Sequence, residues 1–283
     1  MAWDTTRFLA QVTLKGALPT GRFEDSEILD LGTDALMSLV VPLINSTREE
    51  YYVLSSDIST VSGTASYNIP DRAVGQVLRE VKLINGTEIV DLTRLDPEDI
   101  TSTQSGTPSG FYLQANKIIL YPTPNSASTT LRVTYFGRTG YLVDPSSAAI
   151  ITAIAGNVIT CVPPSAWTAA NTFDLIGGSW LRGYDLAATT VAAGSITFTA
   201  TVPTDLAVGD YVALAGYSPI PQCPIEAHAL LVQLTVVSCL EAMGDQTNLG
   251  PAKEKADMLA AALKGVLQNR IQGAGRRFTQ NLI

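Results

Sequence analysis

Apolar residues recur at helical spacing at both ends of the chain and at strand spacing between them. In EDSEILDLGTDALMSLVVPLIN (24–45), Ile28, Leu31, Ala35, Leu39 and Leu43 fall on one side of a helix. Asp25 or Ser26 can cap it, and its first turn is acidic, as the helix dipole favours. Pro42 is predicted to kink or divide it, because proline lacks the N–H and clashes one turn back. TRFLAQVTL, with Asp4 or Thr5 as cap, predicts a shorter helix that its β-branched residues weaken. Near the other end, IEAHALLVQLTVVSCLEAM (225–243) is apolar almost all round, with Glu226, Gln233 and Glu241 as a narrow polar stripe. Such a helix is buried on most sides. GDQTNLGP reads as a break, with Pro251 starting a last helix whose residues 252, 256, 259, 263 and 266 form an apolar stripe.

From Tyr51 the period changes. SYNIP, VLREVKLI, TEIVDL, FYLQ, KIILYP and TLRVTYF are short runs rich in β-branched and aromatic residues. Asn85-Gly86 and Ala115-Asn116 sit between successive runs as tight turns. LDPED (95–99) interrupts the strands with one helical turn, Asp96 as cap and Pro97 first. A second β section, from about Tyr141 to Tyr217, contains an internal echo: IAGNVITCVPP (154–164) and AAGSITFTATVP (192–203). Each is a glycine turn, an Ile-Thr strand and Val-Pro, the pattern of two hairpins in a small barrel or sandwich. The fold class is therefore α+β. Residues 1–50 and 218–272 are expected to form a helical bundle body, with 51–138 as a β region, 139–217 as a second β module and 273–283 as an extended C-terminal arm.

Composition narrows the partners. Hydrophobic residues make up 46% of the 283 positions and charged ones only 16%, which suits neutral surfaces that become covered on assembly. The net charge of −8 argues against gripping nucleic acid, which needs clustered Lys and Arg. The charge is unevenly placed. Beyond Asp257 come Lys264, Arg270, Arg276 and Arg277 with no further acid, so an acidic chain carries a basic tail. The opening MAWDTTRFLAQV has no apolar run of signal-peptide length, and no segment is read as reaching the roughly 18 apolar residues of a membrane span.

Catalytic and metal chemistry find little footing. The three cysteines, Cys161, Cys223 and Cys239, lack the paired spacing of a disulfide framework or zinc site, so reduced thiols are expected. The single histidine, His228, lies ten and eleven positions from Ser238 and Cys239 on one helix. That is about 15 Å, too far for a nucleophile–base pair, and a packed, hydrogen-bonded histidine is the expectation. GxxxxGK[ST], GxGxxG and GxSxG do not occur. The acids of LDPED are read as a cap and solvated first-turn residues. Trp3, Trp167 and Trp180 would suit a tail-associated carbohydrate-binding or cell-wall-degrading module only if they shared a groove. No catalytic residue, cofactor or metal site is assigned.

GRFEDSEILDLGTDALMSLVVPLINSTREEYYV, GTPSGFYLQANKIILYPTPNSASTTLRVTYFGR and the helix pair GYSPIPQCPIEAHALLVQLTVVSCLEAMGD plus AKEKADMLAAALKGVLQNRI together resemble phage head-to-tail adaptor proteins, also called head-completion or connector proteins. The likeness runs from about Gly21 to Ile271 and lies in the order of parts. It implies a structural, non-catalytic virion protein of the neck, assembled in the host cytoplasm. It further implies a homo-oligomeric ring, commonly of twelve copies, beneath the portal protein. The ring would present a surface to a tail or nozzle protein and pass genomic DNA through its channel without sequence-specific binding, and no membrane is involved. On this reading Arg270, Arg276, Arg277, Phe278, Leu282 and Ile283 bind the portal, and Gly273 and Gly275 form the hinge by which the arm leaves the helix.

Overall fold

The computed structural model describes residues 3–100, 102–178 and 180–267. The chain divides into two compact units, Glu50–Arg138 and a discontinuous unit made of the residues up to Glu49 and those from Thr139 onward.

The continuous unit is mainly antiparallel β structure. Its strands are β1 (Val53–Ser59), β2 (Ser66–Asn68), β3 (Ala73–Asn85), β4 (Glu88–Asp91), β5 (Gly110–Gln114), β6 (Lys117–Tyr121) and β7 (Thr130–Gly137). One sheet has the order β1-β7-β3-β4, and a second sets β2, β6 and β5 side by side with the short strand Thr93–Arg94. Alternation along β7 is strict: Leu131, Val133 and Tyr135 are buried, while Arg132 points the other way and holds Asp57 with two 2.7 Å hydrogen bonds. Asn85 pairs with Glu88 around Gly86, whose φ of 59° is the left-handed geometry that such a turn needs. Ala115 takes φ 52° in the matching turn between β5 and β6. LDPED forms a 3-10 turn, with the Asp96 carboxylate accepting from the Glu98 N–H at 3.1 Å. β1 was not singled out in the sequence: VLSSDIS is too serine-rich to stand out, and its place is set by pairing with β7.

In the discontinuous unit the terminal helices meet. They are α1 (Thr5–Gly16), α2 (Asp25–Ala35), α3 (Val41–Thr47), α4 (His228–Met243) and α5 (Gln246–Leu267), with α4 touching α1, α2 and α5. Asp4 caps α1 through the Arg7 N–H, and Phe8, Leu9 and Val12 bury its inner face, which offsets the poor propensity of its threonines and valine. The cap of α2 is Glu24, in a capping box with Glu27, rather than Asp25 or Ser26.

The buried face of α2 also differs from the expected one. Ile28 and Ala35 are buried as expected, but Leu29, Gly32, Leu36, Val40 and Ile44 also face inward, Leu31 and Leu43 are half-buried and Leu39 is exposed. A π-helical turn at Leu36–Val40 supplies the reason: its wider turn keeps residues four apart on one side, where an α-helix would rotate them away. The chain stays helical from Asp25 to Thr47 through this turn, so Pro42, the second residue of α3, does not divide it. Gly32 permits the closest approach, since a Cβ there would stand 2.7 Å from the Phe8 ring.

Three corrections concern the other pair of helices. Ile225–Met243 is long and apolar enough to cross a bilayer, contrary to the sequence reading, and its most apolar window is 61% buried within the protein as a core helix. Gln233, assigned to a polar stripe, is buried and donates from Nε2 to the Ala252 carbonyl at 3.2 Å. The break before α5 is only Gly244 and Asp245, with Asp245 accepting the Asn248 N–H, so Pro251 lies inside the helix. There Ala252, Ala256, Leu263 and Leu267 are buried, and Val266 is exposed.

The rest of this unit is a closed β structure. Its strands are β8 (Ala149–Ile150), β9 (Ala153–Ala155), β10 (Val158–Thr160), β11 (Thr172–Gly177), β12 (Trp180–Ala192), β13 (Ser195–Phe198) and β14 (Tyr211–Leu214), in the order β8-β14-β11-β12-β13-β10-β9. The outermost two, β8 and β9, are halves of one run. Ile151 donates to Asp210, and the next residue, Thr152, donates to Thr160, so the run hands its pairing from one end of the sheet to the other. That closes a small barrel and removes its edges. Ile151, Ile159, Phe173, Leu175, Ile196, Phe198 and Val212 fill its core with Trp167. The two Ile-Thr strands of the sequence echo are β10 and β13, which pair with each other.

The barrel hangs from a stem. Tyr141–Leu142 and Tyr217–Ser218 run parallel and paired. The Leu142 N–H donates to Thr33 Oγ1 at 2.9 Å, Thr5 Oγ1 donates to the Val143 carbonyl at 2.7 Å, and the Thr5 N–H donates to the Pro219 carbonyl at 2.9 Å. These bonds tie the stem to the start of α1 and to Thr33 near the end of α2.

Candidate interaction surfaces

Reactive groups in this molecule are mostly structural. His228 opens α4 with its ring stacked under Trp3, and burial pushes its pKa down to about 4, against smaller opposing effects from a Cys223 backbone hydrogen bond and Glu226. Its Nε2 is buried without a hydrogen-bond partner among the described residues. Ser238 donates to the Leu234 carbonyl within its own helix, so neither it nor Cys239 is paired with His228. All three cysteines are free and buried; burial raises the Cys161 and Cys239 thiols to about 11 and Cys223 further still. Such thiols are poor nucleophiles. Asp174 is fully buried in the barrel wall and accepts the N–H groups of Asp185 and Gly216 on its two oxygens. Among the described residues no group of His, Cys, Asp and Glu is arranged to hold a metal. Trp167 sits inside the barrel against Phe173, whereas Trp3 covers His228, so these two indoles line no common sugar-binding face.

Surfaces carry more information than side-chain clusters. β4 and β1 are the outer strands of their sheet, and all four residues of β4 are exposed, Ile89 and Val90 among them. Val74 and Val77 are exposed on β3, beside an irregular turn where Gly75 and Gln76 both take positive φ. Open strand edges with apolar side chains are templates for pairing. α5 adds exposed Met258 and Val266.

On α1, Leu14 is 80% exposed, and with Ala10 and Leu9 it lines an open groove of about 480 Å³ that Asp25 and Asp144 also border. Acids continue along α2, where Glu24, Asp25, Glu27, Asp30 and Asp34 are exposed and no Lys or Arg occurs within Asp25–Ala35. Sequence reading missed this groove. Its signal was the spacing of Thr6, Ala10 and Leu14, four residues apart and displaced from the inward Phe8 and Val12.

The residues assigned to portal binding, Arg270, Arg276, Arg277, Phe278, Leu282 and Ile283, and the hinge glycines Gly273 and Gly275, lie outside the described residues. The last described residue, Leu267, accepts a hydrogen bond on its carbonyl from Arg48 Nε at 3.1 Å.

Among known protein families, a model described as SU10 adaptor protein matches residues 11–170, more than half of the chain. The match takes in the second half of α1, all of α2 and α3, the whole continuous β unit and the first part of the barrel. No curated protein matches.

Proposed function

The chain belongs to the SU10 adaptor protein family, a family of phage head–tail adaptors, and from that premise we propose that its copies form a ring beneath the portal, close the DNA-filled head and present the surface on which the tail assembles. The family match carries this reading. As a member of a structural adaptor family the protein belongs to the virion neck. The distribution of chemistry supports the finer claims: buried titratable groups are held structurally, while apolar side chains and open strand edges lie on the surface. Repeated round a ring, weak contacts of that kind add through multivalency. Low charge with an acidic balance suits a passage that DNA crosses without sticking. The arm at 273–283 is proposed to reach the portal, with Arg276 and Arg277 meeting acids and Phe278, Leu282 and Ile283 entering apolar pockets.

Native mass spectrometry of the protein with the portal ring of its phage tests the reading. A complex with one copy per portal subunit, commonly twelve, is the expected result, and no complex under any condition would overturn it. Deleting residues 273–283 should abolish portal binding and leave the fold intact. Undiminished binding would remove the arm from the mechanism.

A further inference from the structure

The groove on α1 has a candidate occupant within the chain itself. α1 and α4 run in the same direction, because Trp3 stacks on His228 at one end and Gly16 approaches Val236 at the other. α5 returns antiparallel after the Gly244 turn, and its far end packs near the Ile225–Ala227 turn. Leu267 therefore lies at the end of the bundle where α1 begins. Sixteen residues follow it, enough for roughly 50 Å of extended chain, against about 18 Å for the whole of α1. Those residues carry three arginines, no acid, and the apolar Phe278, Leu282 and Ile283. The groove offers the complement, an apolar floor at Leu9, Ala10 and Leu14 with Asp25 and Asp144 at its rim.

We propose that residues 276–283 of the same chain occupy this groove in the free protein, with Arg276 and Arg277 against Asp25 and Asp144 and Phe278 on the surface made by Ala10 and Leu14. The arrangement matches charge with charge and covers the most exposed large apolar side chain of the described residues. It concerns the protein before assembly and does not rest on the portal reading. If both hold, the same side chains serve two sites in turn, and portal docking begins with release of the arm.

Cysteine trapping in the full chain tests this. Thr13→Cys and Thr279→Cys place thiols beside the groove and beside Phe278 without removing Leu14, Phe278 or any charge, and the three native cysteines are buried. Mild oxidation at low protein concentration should link the two within one chain, as read by intact mass and peptide mapping. Arg276→Glu with Arg277→Glu should slow linkage about tenfold, since two partly exposed charge pairs are lost, and leaves the fold untouched. Adding Asp25→Lys and Asp144→Lys should restore it. Linkage that ignores these charges, linkage only between chains, or no linkage at all would overturn the proposal. A link between chains would instead make the groove a contact between copies. Because no portal is present in this experiment, its failure leaves the portal reading standing.

Discussion

The Trp3 indole lies flat on the His228 imidazole, with ring centroids 3.8 Å apart and planes 18° from parallel. The pair seals the end of the bundle where α1 and α4 begin, and it holds the imidazole neutral: its pKa is about 4 in the fold against 6.5 as the ordinary value. Between those values the unfolded chain binds the extra proton, so stability is complete above pH 6.5 and falls as pH drops towards 4, by up to about 3 kcal/mol. All three tryptophans, Trp3, Trp167 and Trp180, belong to the discontinuous unit, so their fluorescence reports on it alone. Urea midpoints at pH 7 and pH 4.5 should differ more in the wild type than in His228→Leu. Equal acid loss in both proteins would assign the effect to other groups.

Gly32→Ala sets two rules against each other. Helix propensity alone favours alanine by about 1 kcal/mol. Here the new methyl would stand 2.7 Å from the buried Phe8 ring, and overpacking of that kind costs about 1–3 kcal/mol. Net destabilisation is expected in a fluorescence-detected urea melt, and a stabilised variant would show that Phe8 yields freely.

In the barrel, Ile159 and Ile196 are direct cross-strand partners and both fully buried. Each truncation to alanine should cost about 2–4 kcal/mol. Together they open one shared space, so the double variant should lose less than the sum, by about 1 kcal/mol. Strict additivity in the cycle would mean that the two side chains do not share a packing site.

Asp174→Asn replaces an oxygen that accepts a backbone N–H with an amide that donates, leaving either the Asp185 or the Gly216 N–H facing a donor. A loss of about 2 kcal/mol is expected, with the barrel tryptophans as reporters. An unchanged midpoint would show that one of these two bonds is dispensable.

Much of the fold was legible because its signals are local. The Asn85-Gly86 turn, the 3-10 turn at Pro97 and the cap at Asp4 depend on a few neighbouring residues and took the expected form. The all-round apolarity of α4 announced a buried helix, although its one buried amide, Gln233, needed a partner from α5 that spacing does not reveal. Barrel closure has no compositional mark, since it depends on Ile151 and Thr152 bonding to strands on opposite ends of the sheet. The π turn is equally silent, yet it decides whether Val40 or Leu39 faces inward. For function, the adaptor family was readable from the order of helices and strands. The α1 groove was not, because Leu14 looks like a core residue until the helix is packed.

The paired stem has a consequence for how this molecule could change over generations. Tyr141 and Tyr217 are register partners, so the chain leaves for the barrel and returns within one strand spacing of the same point, about 4.8 Å. The continuous unit shows the same economy, its first strand pairing Val53 with Phe136 of its last. To the helices, each excursion is geometrically little more than a short loop. A barrel could be lost, enlarged or exchanged for another through that gap without asking any helix to move, leaving the bonds from Thr5 and Thr33 to hold whatever is put there.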